Sequence, residues 1–178
     1  MAKYDDAAWH YGGDFPEGLP IKNGATHIGM FLNWCIHNNL HSETMKDDAQ
    51  EEIESLKKRK MTGAEFVMNV CGGKFSEHNL NDLGNQFAKA YYADDTDFGN
   101  RYSSFADDYV NILDAKAEEN SFEHETFYHI EDTYENYDVI RLVIDYRFNE
   151  WKEYRNACKE NKTIYGLAKR RKSYTPHT

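Results

Sequence analysis

Prolines, cysteines and long apolar runs are all scarce in this sequence of 178 residues. The three prolines lie near the two ends of the chain, so uninterrupted helices can form through its middle. The three cysteines, Cys35, Cys71 and Cys158, are widely spaced and odd in number, which excludes a disulfide framework and fits a reducing compartment. No stretch approaches the 18 or so consecutive apolar residues of a membrane-spanning helix, so we predict no membrane partner.

Sequence motifs of the common enzyme classes are also missing. The chain contains no Walker loop, no dinucleotide-binding glycine pattern and no G-x-S-x-G elbow. Its first residues include no apolar segment, so we expect no secretory signal and a cytoplasmic location. Aromatic residues make up 15% of the chain, which supplies enough burial area for one ordered domain although hydrophobic residues reach only 40%.

Charge is distributed unevenly along the chain, whose formal net charge is −10. Residues 94–135 contain 13 acidic and two basic residues, a net charge of −11, whereas residues 136–178 have a net charge of +5. The acidic segment repels phosphates and attracts basic partners, although acidic residues can equally form a solvated face that keeps the protein soluble. A basic tail, Lys169-Arg170-Arg171-Lys172, is too short a signal to predict nucleic-acid binding.

Hydrophobic periodicity predicts a mainly α domain of five to seven packed helices. Residues 1–178 form a single domain in this prediction, with an extended arm over 1–24, a helical core over 25–160 and a loosely ordered basic tail over 161–178. The clearest stripe starts at Ile28, with Thr26 as the predicted N-cap and Asn38-Asn39 as the stop. Thr62 and Glu65 have capping-box spacing.

Further helices are expected over residues 42–60, over 81–92 and around 102–113, and the longest helix is expected from residue 138 onward. The segment 121–137 is compatible with either a short helix or a strand. Gly72-Gly73 marks the end of the helix that follows the capping box.

Two candidate metal-binding motifs lack a required residue. His124-Glu125 begins the pattern H-E-x-x-H, but Tyr128 occupies the place of the second histidine. A calcium loop starting at Asp95 requires glycine and glutamate where Asn100 and Ala106 stand. We therefore predict no metal and no cofactor, and the lack of a nucleophile–base arrangement predicts that the protein is not an enzyme.

The N-terminal arm contains the most distinctive sequence in the chain, Trp9-His10-Tyr11-Gly12-Gly13-Asp14-Phe15-Pro16. Aromatic residues beside flexible glycines can form a binding surface, and they can also simply hold the arm on the helical core.

The chain resembles a family of small, uncharacterised bacterial proteins. The resemblance rests on the run KYDDAAWHYGGDFP from Lys3 and on GATHIGMFL from Gly24 with Trp34-Cys35. Shorter matching pieces are Met61-Thr62-Gly63, Cys71-Gly72-Gly73-Lys74-Phe75, Ala90-Tyr91-Tyr92 and Asp145-Tyr146-Arg147-Phe148. The family offers no catalytic residues to carry over. It implies a role as the immunity protein of a bacterial toxin.

We therefore expect an intracellular immunity protein that binds a cognate toxin with a basic surface and occludes its active site. An acidic and aromatic surface is the predicted interface, with Tyr92 and Phe98 as its anchors. Its predicted residues are Trp9, Tyr11, Tyr92, Asp94, Asp95, Asp97, Phe98, Asp107, Asp108, Glu118 and Glu119.

Two alternatives stay open. In the first, the protein is an enzyme or binds a small molecule in a pocket of the N-terminal arm, through His10, Asp14 and His27. In the second, it is a nucleic-acid adaptor that works through residues 169–178. A deep pocket lined by convergent polar groups would favour the first alternative over a flat partner-binding face.

Overall fold

The chain is mainly α, as its hydrophobic periodicity predicts. The computed structural model describes residues 2–11 and 15–172, with side chains up to residue 160. Two strands, β1 and β2, are Lys3–Asp6 and Lys74–Ser76. The α-helices α1 to α9 are Ala7–His10, Thr26–His37, Glu43–Asp48, Gln50–Lys57, Gly63–Asn69, Asp82–Phe87, Asp97–Arg101, Phe105–Glu119 and Tyr134–Lys172.

Several predicted helix boundaries are confirmed. The stop at Asn38-Asn39 ends α2, and Asn39 adopts a positive φ of 55°. Thr62 and Glu65 form the predicted capping box at the start of α5. The predicted N-cap of α2 is wrong, because Ala25 holds the N-cap position and Thr26 is the first helical residue.

Other helices are interrupted where the sequence pattern appears continuous. The helix predicted over residues 42–60 divides at Ala49, which separates α3 from α4. The helix predicted over 81–92 consists of α6 followed by a π turn, Ala88–Tyr92. Segment 121–137 contains a 3-10 turn, Phe127–His129, and the first turn of α9, so the strand alternative is wrong there.

An aromatic cluster fills the centre of the fold, and Phe31 of α2 lies in its middle. The Phe31 ring contacts six other aromatic rings at centroid distances of 4.9–6.3 Å. Each such pair adds about 0.5–1.5 kcal/mol beyond area burial. Rings from α6, the π turn, α8 and β2 therefore meet on one helix, which fixes the position of α2.

Helix α2 also makes a very close contact with α5. A Cβ atom added to Gly29 would lie 2.2 Å from the backbone of Gly63 and Ala64, and one added to Gly63 would lie 2.3 Å from the Gly29 carbonyl oxygen. The two glycines thus allow the helix backbones to touch, which holds the start of α2 at a fixed distance from α5.

The N-terminal segment, expected as an extended arm, is folded into the domain. Strand β1 pairs antiparallel with β2, and a bulge interrupts the register between Lys3 and Asp5. A bulge changes which side chains face inward, and here the consecutive residues Asp5 and Asp6 are both buried. Asp6 then caps α1 by accepting a hydrogen bond from the Ala8 backbone N–H at 3.0 Å. The chain thereby directs one carboxylate into the interior and uses the next to start a helix.

Helix α9 covers this core on the side of α8 and α2. Its inward residues Ile140, Ile144 and Trp151 are buried, as their spacing predicts. No helix in the described part of the chain is both long and apolar enough to span a membrane. The side chains of the predicted basic tail, 161–178, lie outside the described residues.

Candidate functional site

A cavity of about 560 Å³ lies between the N-terminal segment and the start of α8. Residues of strand β1 and helix α1 line it together with residues of the first two turns of α8. His27, in the first turn of α2, and Phe127 also contribute to the lining. The volume falls within the range of small-molecule sites, about 300–1,000 Å³.

A buried polar cluster of Asp5, His10 and His27 lines this cavity. The Asp5 carboxylate accepts hydrogen bonds from Nε2 of His10 at 3.0 Å and from Nε2 of His27 at 3.1 Å. The Tyr92 hydroxyl donates a third at 2.6 Å, and the Asp6 backbone N–H donates a fourth at 2.7 Å. The side chains of the cluster are only 13–20% exposed, so one carboxylate organises the two imidazoles with little help from solvent.

Burial and hydrogen bonding have opposite effects on the pKa of the Asp5 carboxyl. Burial alone would raise the pKa of its carboxyl, but the hydrogen bonds from His10, His27 and Tyr92 outweigh burial and hold the pKa well below its usual range. Burial lowers the pKa of His27 despite its contact with Asp5. The cluster thus contains an ionised carboxylate beside a neutral His27 imidazole at neutral pH.

Each histidine has a second nitrogen with a different environment. Nδ1 of His10 lies 3.1 Å from the Tyr128 hydroxyl oxygen. Nδ1 of His27 is buried and has no hydrogen-bond partner among the described residues, and the same holds for the Tyr109 hydroxyl. Both residues line the cavity. Buried polar atoms without partners are uncommon, and each requires an explanation such as a ligand or an ordered water molecule.

The predicted interface residues fall into two groups. Three of them are inside the protein: Tyr92 and Phe98 are 8% and 1% exposed, and Asp108 is 6% exposed and paired with Arg147. These three therefore offer almost no surface to a protein partner in this conformation. Exposure is retained by Asp94, Asp95, Asp97, Asp107, Glu118 and Glu119.

Four residues of the predicted interface line the cavity together with His10 and His27, the residues of the pocket hypothesis. Trp9 is 59% exposed and lines the cavity together with Asp94, Asp107 and Tyr92. Tyr11 is half-buried, and its hydroxyl contacts the sulfur of Met68 at 3.6 Å. Asp14, proposed as the partner of His10, lies outside the described residues.

Asp5 is the central residue of the cluster, and it is not among the residues predicted from the sequence. Its hydrogen-bond partner His10 follows five residues later, but on a predicted loop that spacing carries no geometric information. The bulge in β1 and the pairing with β2, about 70 residues away, bring the carboxylate inward. The available signal was the adjacency of Asp5 to the distinctive N-terminal run.

Burial keeps two of the three cysteines, Cys35 and Cys71, from acting as nucleophiles. Cys35 is fully buried on the apolar stripe of α2. Burial raises the pKa of the Cys71 thiol to about 12. A thiolate is the reactive form of cysteine, so neither residue is set up as a nucleophile.

Neither the curated proteins nor the solved structures contain a match to this chain. The sequence model of one protein family matches residues 3–130, which include every residue of the cavity lining and end before α9. The chain belongs to the family described as Domain of unknown function (DUF7832).

Proposed function

We propose that the protein binds a small organic molecule in the cavity, with the Asp5–His10–His27 cluster as its polar end. The observation that carries this proposal is the convergence of a buried carboxylate and two imidazoles on a cavity of about 560 Å³. Ligand sites characteristically combine apolar walls with a few placed polar groups.

The walls and rim of the cavity define the class of ligand. Aromatic side chains form much of the wall, among them Trp9, Phe105 and Phe127. The exposed carboxylates of Asp94 and Asp107 lie on the lining and repel anions. We therefore infer a neutral or cationic ligand with a flat, partly apolar body and polar atoms at one end.

Filling the cavity is expected to abolish ligand binding without unfolding the protein. Ala106 is an exposed residue of α8 that lines the cavity, so Ala106→Trp places an indole in the space. Ala115 is exposed on the same helix but does not line the cavity, which makes Ala115→Trp the matched control. We expect neutral and cationic aromatic fragments to shift the NMR resonances of Trp9 and His10 in wild type and in Ala115→Trp, but not in Ala106→Trp.

Fragments that shift these resonances equally in all three proteins would bind elsewhere and would contradict the proposal. A binding fragment also stabilises the folded state, by about 2.7 kcal/mol at a hundred times its Kd. The rise in melting temperature should therefore follow the same order among the variants.

A second candidate function is binding of a cognate toxin as its immunity protein, and the exposed acids support it. Six of the seven predicted acidic residues remain on the surface, and the exposed Trp9 lines the same cavity as two of them, Asp94 and Asp107. An acidic surface next to an exposed aromatic side chain suits a basic partner. Tyr92 and Phe98 are buried and Tyr11 is half-buried, so among the aromatic residues of the predicted interface Trp9 has the large exposed area that an anchor requires.

Charge reversal tests this second function. The toxin encoded beside this chain should associate more slowly with the triple variant Asp94→Lys, Asp95→Lys, Asp97→Lys, by about tenfold or more at low salt. The difference should shrink near 0.5 M salt, where screening is strong. Reversal of Asp47, Asp48 and Glu51, also exposed, changes the net charge equally and serves as the control. Equal association rates for the two variants would mean that residues 94–97 form only a solvated face.

A further inference from the structure

We propose that Asp5, His10 and His27 bind a divalent first-row transition metal, with Asp5 supplying a carboxylate oxygen and each histidine its Nε2 atom. No metal is predicted from the sequence, because each of its two candidate motifs lacks a required residue. The three residues come from β1, α1 and α2, so only the folded chain brings them together. This inference rests on the proposed function, since the metal would form the polar end of the ligand cavity.

Two pairs of donor atoms in the cluster have the separations found around a metal ion. One ligand atom from each residue lies within 4.8 Å of the others. The carboxylate oxygens lie 3.0 Å from Nε2 of His10 and 3.1 Å from Nε2 of His27. Metal–ligand bonds of about 2.0–2.2 Å place neighbouring donors about 3.0–3.5 Å apart. The Asp5–His10 and Asp5–His27 separations match those of donors that share one metal ion, and each histidine approaches a different oxygen of the carboxylate.

Surrounding groups hold these side chains in place, as the outer shell of a metal site does. The Tyr92 hydroxyl donates to Oδ2 of Asp5 at 2.6 Å, and the Asp6 backbone N–H donates to Oδ1. The Tyr128 hydroxyl lies 3.1 Å from Nδ1 of His10. The first two contacts orient the carboxylate through the same oxygens that face the histidines, and the third orients the His10 ring through its other nitrogen.

The protons balance within the cluster. In the metal-free cluster, Nε2 of each histidine faces an oxygen of the Asp5 carboxylate and is the donor of that hydrogen bond. Metal binding at Nε2 requires the proton to move to Nδ1 of the same ring, where His10 can donate to the Tyr128 hydroxyl oxygen. No net proton release is needed from a neutral imidazole.

The ligand set selects the class of ion and leaves coordination positions open. Two imidazoles and one carboxylate suit Zn²⁺, Fe²⁺ and similar ions better than Ca²⁺ or Mg²⁺, which prefer oxygen ligands throughout. Three protein ligands leave at least one position for a further donor. Since all three residues line the cavity, that donor would be water or a polar atom of the bound molecule. The metal would thus favour ligands with a metal-coordinating group.

Titration of the metal-free full-length protein with Zn²⁺ and Co²⁺ tests the inference. We expect one ion per chain by calorimetry, visible ligand-field bands with Co²⁺, and paramagnetic broadening centred on His10 and His27. His10→Gln and His27→Gln should lose the site, and Tyr92→Phe should weaken affinity by about 10–100-fold. His124→Gln is the matched control, because His124 also lies 3.0 Å from a carboxylate, that of Asp114, but belongs to no three-residue group.

Unchanged binding in His10→Gln, or Co²⁺ broadening located elsewhere, would overturn the inference. Paramagnetic broadening by Co²⁺ is measured on the wild-type protein, so it locates the metal site even if His27→Gln fails to fold. If the wild-type protein binds the fragments but has no affinity for Zn²⁺ or Co²⁺, the proposed metal site is overturned and the proposed ligand cavity is not. Metal binding in Ala106→Trp alongside lost fragment binding is expected, because the metal lies among the cluster residues and not at position 106.

Discussion

Replacing Arg147 with methionine should lower the free energy of unfolding by about 3–5 kcal/mol. The Arg147 guanidinium donates two hydrogen bonds to the buried carboxylate of Asp108, from Nε at 2.8 Å and from Nη2 at 3.1 Å. The Tyr91 hydroxyl donates to the same carboxylate at 2.8 Å. Methionine fills much of the same volume but leaves the Asp108 charge buried without its ionic partner. An unpaired buried charge strongly destabilises the folded state.

Arg141 provides the matched comparison on the same helix. Its Nε donates to Asp138 at 2.9 Å, but these side chains are 40% and 36% exposed. Exposed pairs contribute about 0–1 kcal/mol, so Arg141→Met should change stability little. Urea unfolding followed by circular dichroism measures both variants. Equal losses would show that the Asp108 carboxylate is solvated in the folded protein and that its burial carries little cost.

The Asp108–Arg147 pair also has a place in the organisation of the chain. Asp108 lies on α8 within the family-matched residues 3–130, whereas Arg147 lies on α9 beyond them. The Trp34 indole N–H donates to Asp145 across the same boundary at 2.8 Å. The ion pair from α8 and the hydrogen bond from α2 therefore orient α9, in addition to the apolar contacts of Ile140 and Ile144.

The helical class was predictable because apolar spacing is a local property. The stripe that starts at Ile28 and the capping box at Thr62 each depend on residues within one or two turns. The break at Ala49 and the π turn Ala88–Tyr92 were missed, since both leave the apolar pattern intact while changing backbone hydrogen bonding. Periodicity thus identifies helices more securely than it identifies where they are interrupted.

The candidate site was predicted only in part. His10 and His27 were named for a pocket of the N-terminal segment, and both line the cavity. Their common partner Asp5 was missed, because a bulged strand that pairs with β2 leaves no periodic trace in four residues. Folding of the segment, and not its composition, brings the three side chains together.

The error over the interface anchors has a different origin. Tyr92 and Phe98 were chosen because they lie beside acidic residues in the sequence. Neighbours in sequence face different directions at turns and helix starts: Phe98 points into the core one residue after the exposed Asp97. Tyr92 likewise ends a π turn and directs its hydroxyl to Asp5. Adjacency to charge therefore gives no information on exposure.

Two adjacent carboxylates, Asp5 and Asp6, should differ sharply when each is replaced by alanine. Asp5→Ala removes the acceptor of three side-chain hydrogen bonds, from His10, His27 and Tyr92. Each buried donor left without a partner costs about 1–3 kcal/mol, although water entering the cavity can satisfy some of them. We expect a loss of about 3–4 kcal/mol in the free energy of unfolding.

Asp6→Ala removes a helix cap and the ion pair with Lys3, and the cost should be only about 1 kcal/mol. Urea unfolding in the presence of a chelator measures both variants without any contribution from bound metal. The Tyr92 and His27 resonances should shift in Asp5→Ala and stay in place in Asp6→Ala, since Asp6 contacts neither side chain. A similar small loss in both variants would mean that the histidines find other acceptors when Asp5 is removed, and that the cluster is not organised around this carboxylate.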